Sequence, residues 1–98
     1  MPSISVITTV YNHQEFIAAC IESVLVQSYD DFEMIVVDDG SVDDTRKVLA
    51  GFHDPRLRVF HVARMGRGKA LNYAIARASG HYLAILDSDV LMACNRLR

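Results

Sequence analysis

Four short apolar runs, each followed by a polar turn and all but the last then by a stretch of helical periodicity, constrain this fold more than any other feature of the chain. Ile4–Val10 is rich in β-branched residues, Phe32–Val37 is nearly all apolar, Leu57–Val62 alternates, and Tyr82–Leu86 is a short apolar run. Such runs read as buried or half-buried strands. Asn12 to Glu15 forms an Asn-x-x-Glu pattern that predicts a capping box. Behind it, Phe16, Ile17, Cys20, Ile21, Val24 and Leu25 recur at helical spacing, and the helix is expected to stop near residues 28–31. A second helix is expected from Ser41 or Asp43, with Val48 and Leu49 turned inward and Asp43 and Asp44 at the positive end of its dipole. Gly51 and the Asp54-Pro55 turn should end it. A third helix is expected from about Gly68 to Ser79, burying Leu71, Ile75 and Ala78, with Gly80 as its C-terminal stop. Val90 to Arg98 is too short to classify.

The order βαβαβαβ predicts an α/β fold, a Rossmann-like parallel sheet with helices on both faces and right-handed crossovers. With 98 residues the chain is one small domain or part of a larger one. Its 51% hydrophobic and 22% charged content is ordinary for a globular core. A net charge of −2 gives no electrostatic reason to expect a nucleic-acid partner. No apolar run approaches the roughly 18 residues of a membrane span, and Met1-Pro2-Ser3 carries no basic leader, so neither a spanning segment nor a signal peptide is expected. Cys20 falls on the apolar helix stripe as a small hydrophobe, and Cys94 has no assignable place. Two such thiols suggest a reducing compartment, hence a cytoplasmic location.

In an open parallel sheet, ligands gather at the carboxyl ends of the strands. Three ends here carry polar groups that would open onto one edge: Thr8-Thr9 with Tyr11-Asn12, Asp38-Asp39, and Asp87-Ser88-Asp89. If the last segment stays extended, Asp87 and Asp89 point the same way with Cα atoms about 6.5 Å apart. Two such carboxylates repel unless protons or a cation intervene, and a hard ion such as Mg²⁺ or Mn²⁺ suits oxygen ligands and phosphate. The plainer alternative is that both acids cap a following turn. Asp38-Asp39-Gly40-Ser41 offers one carboxylate to the cleft and the other to solvent or the next loop, with Gly40 for the tight turn and Ser41 as helix cap. Turn chemistry alone explains these residues about as well. An aspartate there could accept an N–H from a base, on whose face Tyr11 could stack.

Arg64, Arg67 and Lys69 cluster with Gly66 and Gly68 just before the third helix, where basic groups suit a phosphate or simply form a solvated turn. A Walker A loop is excluded because Ala70 follows Lys69 and Ala63 holds the first glycine position. A dinucleotide fingerprint fails at Leu71. His13, His53, His61 and His81 lack metal-ligand spacing and read as structural or surface residues. A phospho-receiver is disfavoured, because its acidic pair ends the first strand and here the pair ends the second.

Several blocks taken together resemble one known family. Ser5-Val6-Ile7 with Tyr11-Asn12, Glu22-Ser23-Val24-Leu25 with Gln27-Ser28-Tyr29, Phe32-Glu33 through Asp38-Asp39-Gly40-Ser41, and Gly80 through Asp87-Ser88-Asp89 resemble, in order and spacing, the opening of family 2 glycosyltransferases of GT-A fold. The chain departs from the pattern at Thr9, where many members carry proline. The resemblance implies the N-terminal half of a GT-A fold, with residues 1–98 binding a nucleotide-diphosphate sugar, typically UDP-linked, and Mg²⁺ or Mn²⁺ on its diphosphate. It places Thr9 and Tyr11 along the base pocket and Asp39, with Asp38 as the weaker candidate, on the base. It places Asp87 and Ser88 at the donor, Asp89 on the metal with Asp87 beside it, and Arg67 or Lys69 at a further donor contact.

The sequence runs nine residues past Asp89, and no residue in it is assigned as the catalytic base. The expected function is therefore the donor-binding region of an inverting transferase. The alternative is a non-catalytic nucleotide-binding or interaction module from a truncated gene product. An uncovered sheet edge in such a chain could be closed by self-association into a homo-oligomer.

Overall fold

The computed structural model describes residues 3–26 and 31–86. They form β1 (Ile4–Val10), α1 (Ile17–Leu25), β2 (Phe32–Asp39), α2 (Thr45–Leu49), β3 (Leu57–Val62), α3 (Arg67–Ile75) and β4 (Tyr82–Ile85). The strands make one four-stranded sheet in the order β3-β2-β1-β4. All three pairings are parallel, with Ile7 opposite both Ile35 and Ile85, and Val36 opposite Val59. The α/β alternation expected from the sequence is present element for element.

Side-chain alternation along β1 and β2 splits the core into two layers. Val6, Val10, Met34 and Val36 pack with Ile17, Cys20, Ile21 and Val24 of α1 and Leu49 of α2. Ile7, Ile35 and Val37 point the other way and pack under Ala70 and Ala74 of α3. Each fully buried Val or Ile contributes about 1.5–3 kcal/mol relative to exposure. β2 is buried along its whole length, because it has a neighbour on each side and helices on both faces. Cys20 is fully buried, as its place on the stripe predicts.

Several local expectations are corrected. Asn12 does not cap α1, which starts at Ile17 after Phe16 in the N-cap position. Asn12 instead takes a left-handed backbone (φ 54°) and binds the β2–α2 loop, its N–H donating to Ser41 Oγ and its Oδ1 accepting from Val42 N–H. That long-range exchange wins over the local capping box. α2 begins at Thr45 rather than Ser41 or Asp43, and Ser41 is held by Asn12. Asp44 takes the N-cap position and Asp43 accepts the Thr45 N–H at 2.9 Å, so both acids do stand at the positive end of the helix.

α3 is shorter than its periodicity suggests, and the residues it buries fully are Ala70 and Ala74, with Leu71 and Ala78 only half-buried and Ile75 exposed. Small side chains on this face let the helix lie close to the sheet. Gly80 is not a helix stop. A Cβ there would stand 2.7 Å from Ser5 N and 2.8 Å from Ile4 C, so glycine is what lets the chain enter β4 tight against β1.

At the amino ends of the strands, the Glu33 carboxylate fastens four segments. It accepts Ser5 Oγ–H at 2.6 Å, Ser79 N–H at 2.7 Å, Ser79 Oγ–H at 3.0 Å and Arg58 Nη1–H at 3.1 Å. Burial acts to raise its pKa, but the hydrogen bonds from Ser5, Ser79 and Arg58 outweigh it and hold the group below its ordinary value.

Candidate functional site

The carboxyl ends of β1, β2 and β4 lie side by side at the point where the strand order reverses. From β1 the chain crosses to β2 and β3 on one side, and α3 then returns it to β4 on the other. A crevice at such a reversal is where open α/β sheets bind ligands.

Within this edge the pleat decides which side chains meet. Val37 belongs to the α3 layer and Val36 to the α1 layer, so Asp39 emerges on the α3 side and Asp38 on the α1 side. Thr9, two residues beyond Ile7, shares the α3 side with Asp39 and is half-buried. Both aspartates are buried, so of the two expected surroundings for the second carboxylate, solvent or the next loop, the structure shows the loop. β2 extends through them, and each finds its own donors.

Asp38 is absorbed by local structure. Its Oδ1 accepts the Ser41 N–H at 3.1 Å, and its Oδ2 lies 2.9 Å from Nδ1 of His61, its register partner on β3. His61 is thus a structural partner at the surface, in line with its expectation as a structural or surface residue, but its pairing with Asp38 is not visible from spacing. The parallel pairing of β2 with β3 is the signal that could have found it.

Asp39 instead receives the start of α3. Its Oδ1 accepts the Met65 N–H at 2.7 Å, and its Oδ2 accepts the Gly66 N–H at 3.1 Å and Nη1–H of Arg64. Gly66 has φ 94°, which aims its N–H at the carboxylate and turns the chain into the helix. A carboxylate at this helix end also faces the positive pole of the dipole. Arg64 completes the cluster by laying its guanidinium over the Tyr11 ring, 3.8 Å from the centroid. Its backbone is pressed against Gly40 (φ 71°), where a Cβ would come within 2.6 Å of Arg64 N.

The structure therefore brings Tyr11 and Asp39 together through Arg64, keeps Thr9 on the same side, and turns Asp38 away. Arg67 and Lys69 stand in the first turn of α3 with exposed side chains. Asp87, Ser88 and Asp89 lie outside the described residues. Among the described residues no group of three or more His, Cys, Asp or Glu is placed to hold a metal. No helix among them is long and apolar enough to cross a membrane.

Comparison with known proteins bears on this geometry. Glycosyltransferase GlyG of Streptococcus pneumoniae is 37% identical over 97 residues, which cover 96% of this chain and 32% of that protein. The succinoglycan biosynthesis protein ExoO of Rhizobium meliloti is 38% identical over 99 residues, covering 100% of this chain and 28% of its own. Among solved structures, S. aureus TarS (residues 1–349) in complex with UDP-GlcNAc superposes with a TM-score of 0.83 at 32% identity, over 91% of this chain and 27% of that one. The mannosyltransferase PcManGT of Pyrobaculum calidifontis, in complex with GDP-Man and Mn²⁺, gives 0.79 at 32% identity, over 92% and 28%. The chain thus spans about a third or less of the relatives it matches, and its sheet is the N-terminal part of a GT-A fold. Residues 5–98 match the family model described as glycosyl transferase family 2, and the chain belongs to that family.

Proposed function

We propose that this chain binds the nucleotide part of a sugar donor, a nucleotide-diphosphate sugar of UDP type, for an inverting glycosyl transfer. The observation that carries the proposal is the juxtaposition of an exposed Tyr11 ring and the buried Asp39 carboxylate at the sheet's reversal point. An aromatic face and a fixed acceptor are what a nucleobase with an N–H edge needs. Thr9 would line the rim of that pocket. Arg67 and Lys69, at the amino end of α3, would face the diphosphate, where cations and a helix start favour anions.

The fold and the kinship support the same assignment, since TarS and PcManGT are described with UDP-GlcNAc and GDP-Man respectively. β4 lies beside β1, and Leu86 and then Asp87, Ser88 and Asp89 follow it in sequence. Two carboxylates form a donor set suited to Mg²⁺ or Mn²⁺, and Asp89, with Asp87, would be the ligands. Such an ion would offset negative charge on the departing nucleoside diphosphate. No residue here is proposed as the base that deprotonates the acceptor.

Titration calorimetry with UDP, with and without Mn²⁺, tests this assignment. Metal-dependent heat is expected, lost in Asp89→Ala and reduced in Asp39→Asn. Absence of binding by any nucleoside diphosphate in the presence of Mn²⁺ would overturn it.

A further inference from the structure

We propose that Arg64 is a built-in occupant of the base pocket, holding in the free chain the two contacts that a nucleobase must take over. This rests on the assignment of Tyr11 and Asp39 to the base. A guanidinium is planar, carries N–H donors along its edge and stacks on aromatic faces. In these respects it imitates a base. Arg64 lies over the Tyr11 ring at 3.8 Å from the centroid and donates from Nη1 to Asp39 Oδ2. The same oxygen already accepts the Gly66 N–H at 3.1 Å. Two donors fill the two lone pairs of Oδ2 and the guanidinium covers the Tyr11 face, so a base that stacks on Tyr11 and donates to Oδ2 takes its place only after the guanidinium leaves.

The surroundings allow that exchange without rearranging the fold. The Arg64 backbone is fixed against Gly40, and the neighbouring Met65 and Gly66 N–H groups hold the Asp39 carboxylate in place whether or not Arg64 is bound. The Arg64 side chain is 51% exposed and its stem can swing into solvent, whereas the Asp39 side chain is 3% exposed and stays. Nucleotide binding is then an exchange of one planar donor for another, and the apparent affinity is lowered by the fraction of molecules in which Arg64 holds the site. The occupant also selects. A base with an N–H beside its ring carbonyls replaces both contacts, while a base without that donor leaves Asp39 better served by Arg64.

The test compares UDP binding by the wild-type chain, Arg64→Ala and Arg64→Met in the presence of Mn²⁺, the methionine variant retaining an apolar stem. Both variants are expected to bind UDP tighter, by roughly 3- to 30-fold, the range spanned by an ion pair whose arginine end is solvent-screened and an exposed cation–π contact together. In wild-type NMR spectra, the Arg64 δ-methylene protons should lose their Tyr11 ring-current shift as UDP is added. Equal or weaker UDP binding by both variants, or a ring-current shift that survives saturation with UDP, overturns the role given to Arg64 and leaves the base pocket standing. Failure of the wild-type chain and both variants to bind UDP overturns the base pocket itself and Arg64's role with it.

Discussion

Replacing Glu33 by glutamine tests how much of the fold is fastened at the amino ends of the strands. In the wild type, Oε2 takes three donors from Ser5 and Ser79 and Oε1 takes the Arg58 guanidinium. The best placement of glutamine keeps its oxygen at the Oε2 position and turns its NH₂ toward Arg58, donor against donor. The variant loses the Arg58 contact and the charge assistance on the other three bonds. Hydrogen bonds to charged groups are worth about 1.5–3 kcal/mol, so a loss of about 2 kcal/mol is expected. For a domain of this size that corresponds to a fall in Tm of roughly 8–16 °C at neutral pH, measured by circular dichroism.

The pH dependence supplies an independent check. The folded pKa of Glu33 is depressed below its ordinary value of 4.5. Its contribution is therefore fully present above about pH 4.5 and is lost as the pH falls through the folded value. The wild type and Glu33→Gln should keep a constant gap in stability above about pH 4.5 and converge as the pH falls from there through the folded pKa. A gap that persists through that fall, or a change in Tm of less than about 2 °C at pH 7, would refute the account of Glu33 as a charged fastener.

Three further outcomes follow from packing. Gly40→Ala places an L-residue at φ 71° with its Cβ 2.6 Å from Arg64 N, and should cost about 2–4 kcal/mol in urea denaturation; a cost under 1 kcal/mol would mean that the loop yields freely. Ala74→Leu should cost about 1–3 kcal/mol by forcing α3 off the sheet, and unchanged stability would show that the helix does not lie as close as its burial implies. Cys20, fully buried, should resist thiol reagents in a Cys94→Ser variant until the chain unfolds, and labelling at the rate of a free thiol would contradict its place in the core.

The candidate site was legible in part. Tyr11 and the Asp38-Asp39 turn are visible from strand-end position alone, and the family blocks identify them together. Which aspartate emerges on the side of Thr9 and α3 is a matter of pleat parity, and the α3 layer over Val37 selects Asp39. The pairing of Arg64 with Tyr11 and Asp39 joins positions more than 20 residues apart, and no local pattern announces it. The Asn12 and Ser41 assignments failed for a related reason. Both read as helix caps because capping is a local contact, and the two residues bind each other across 29 positions instead.

Alternating apolar runs and helical stripes were sufficient to determine the parallel α/β fold, because burial periodicity is written residue by residue. The tertiary structure alone decided where the polar groups at the sheet's edge are spent. A hydrogen-bonding side chain goes to whichever donor the folded chain brings within about 3 Å, and that depends on register, strand order and the close approach allowed at Gly40 and Gly80.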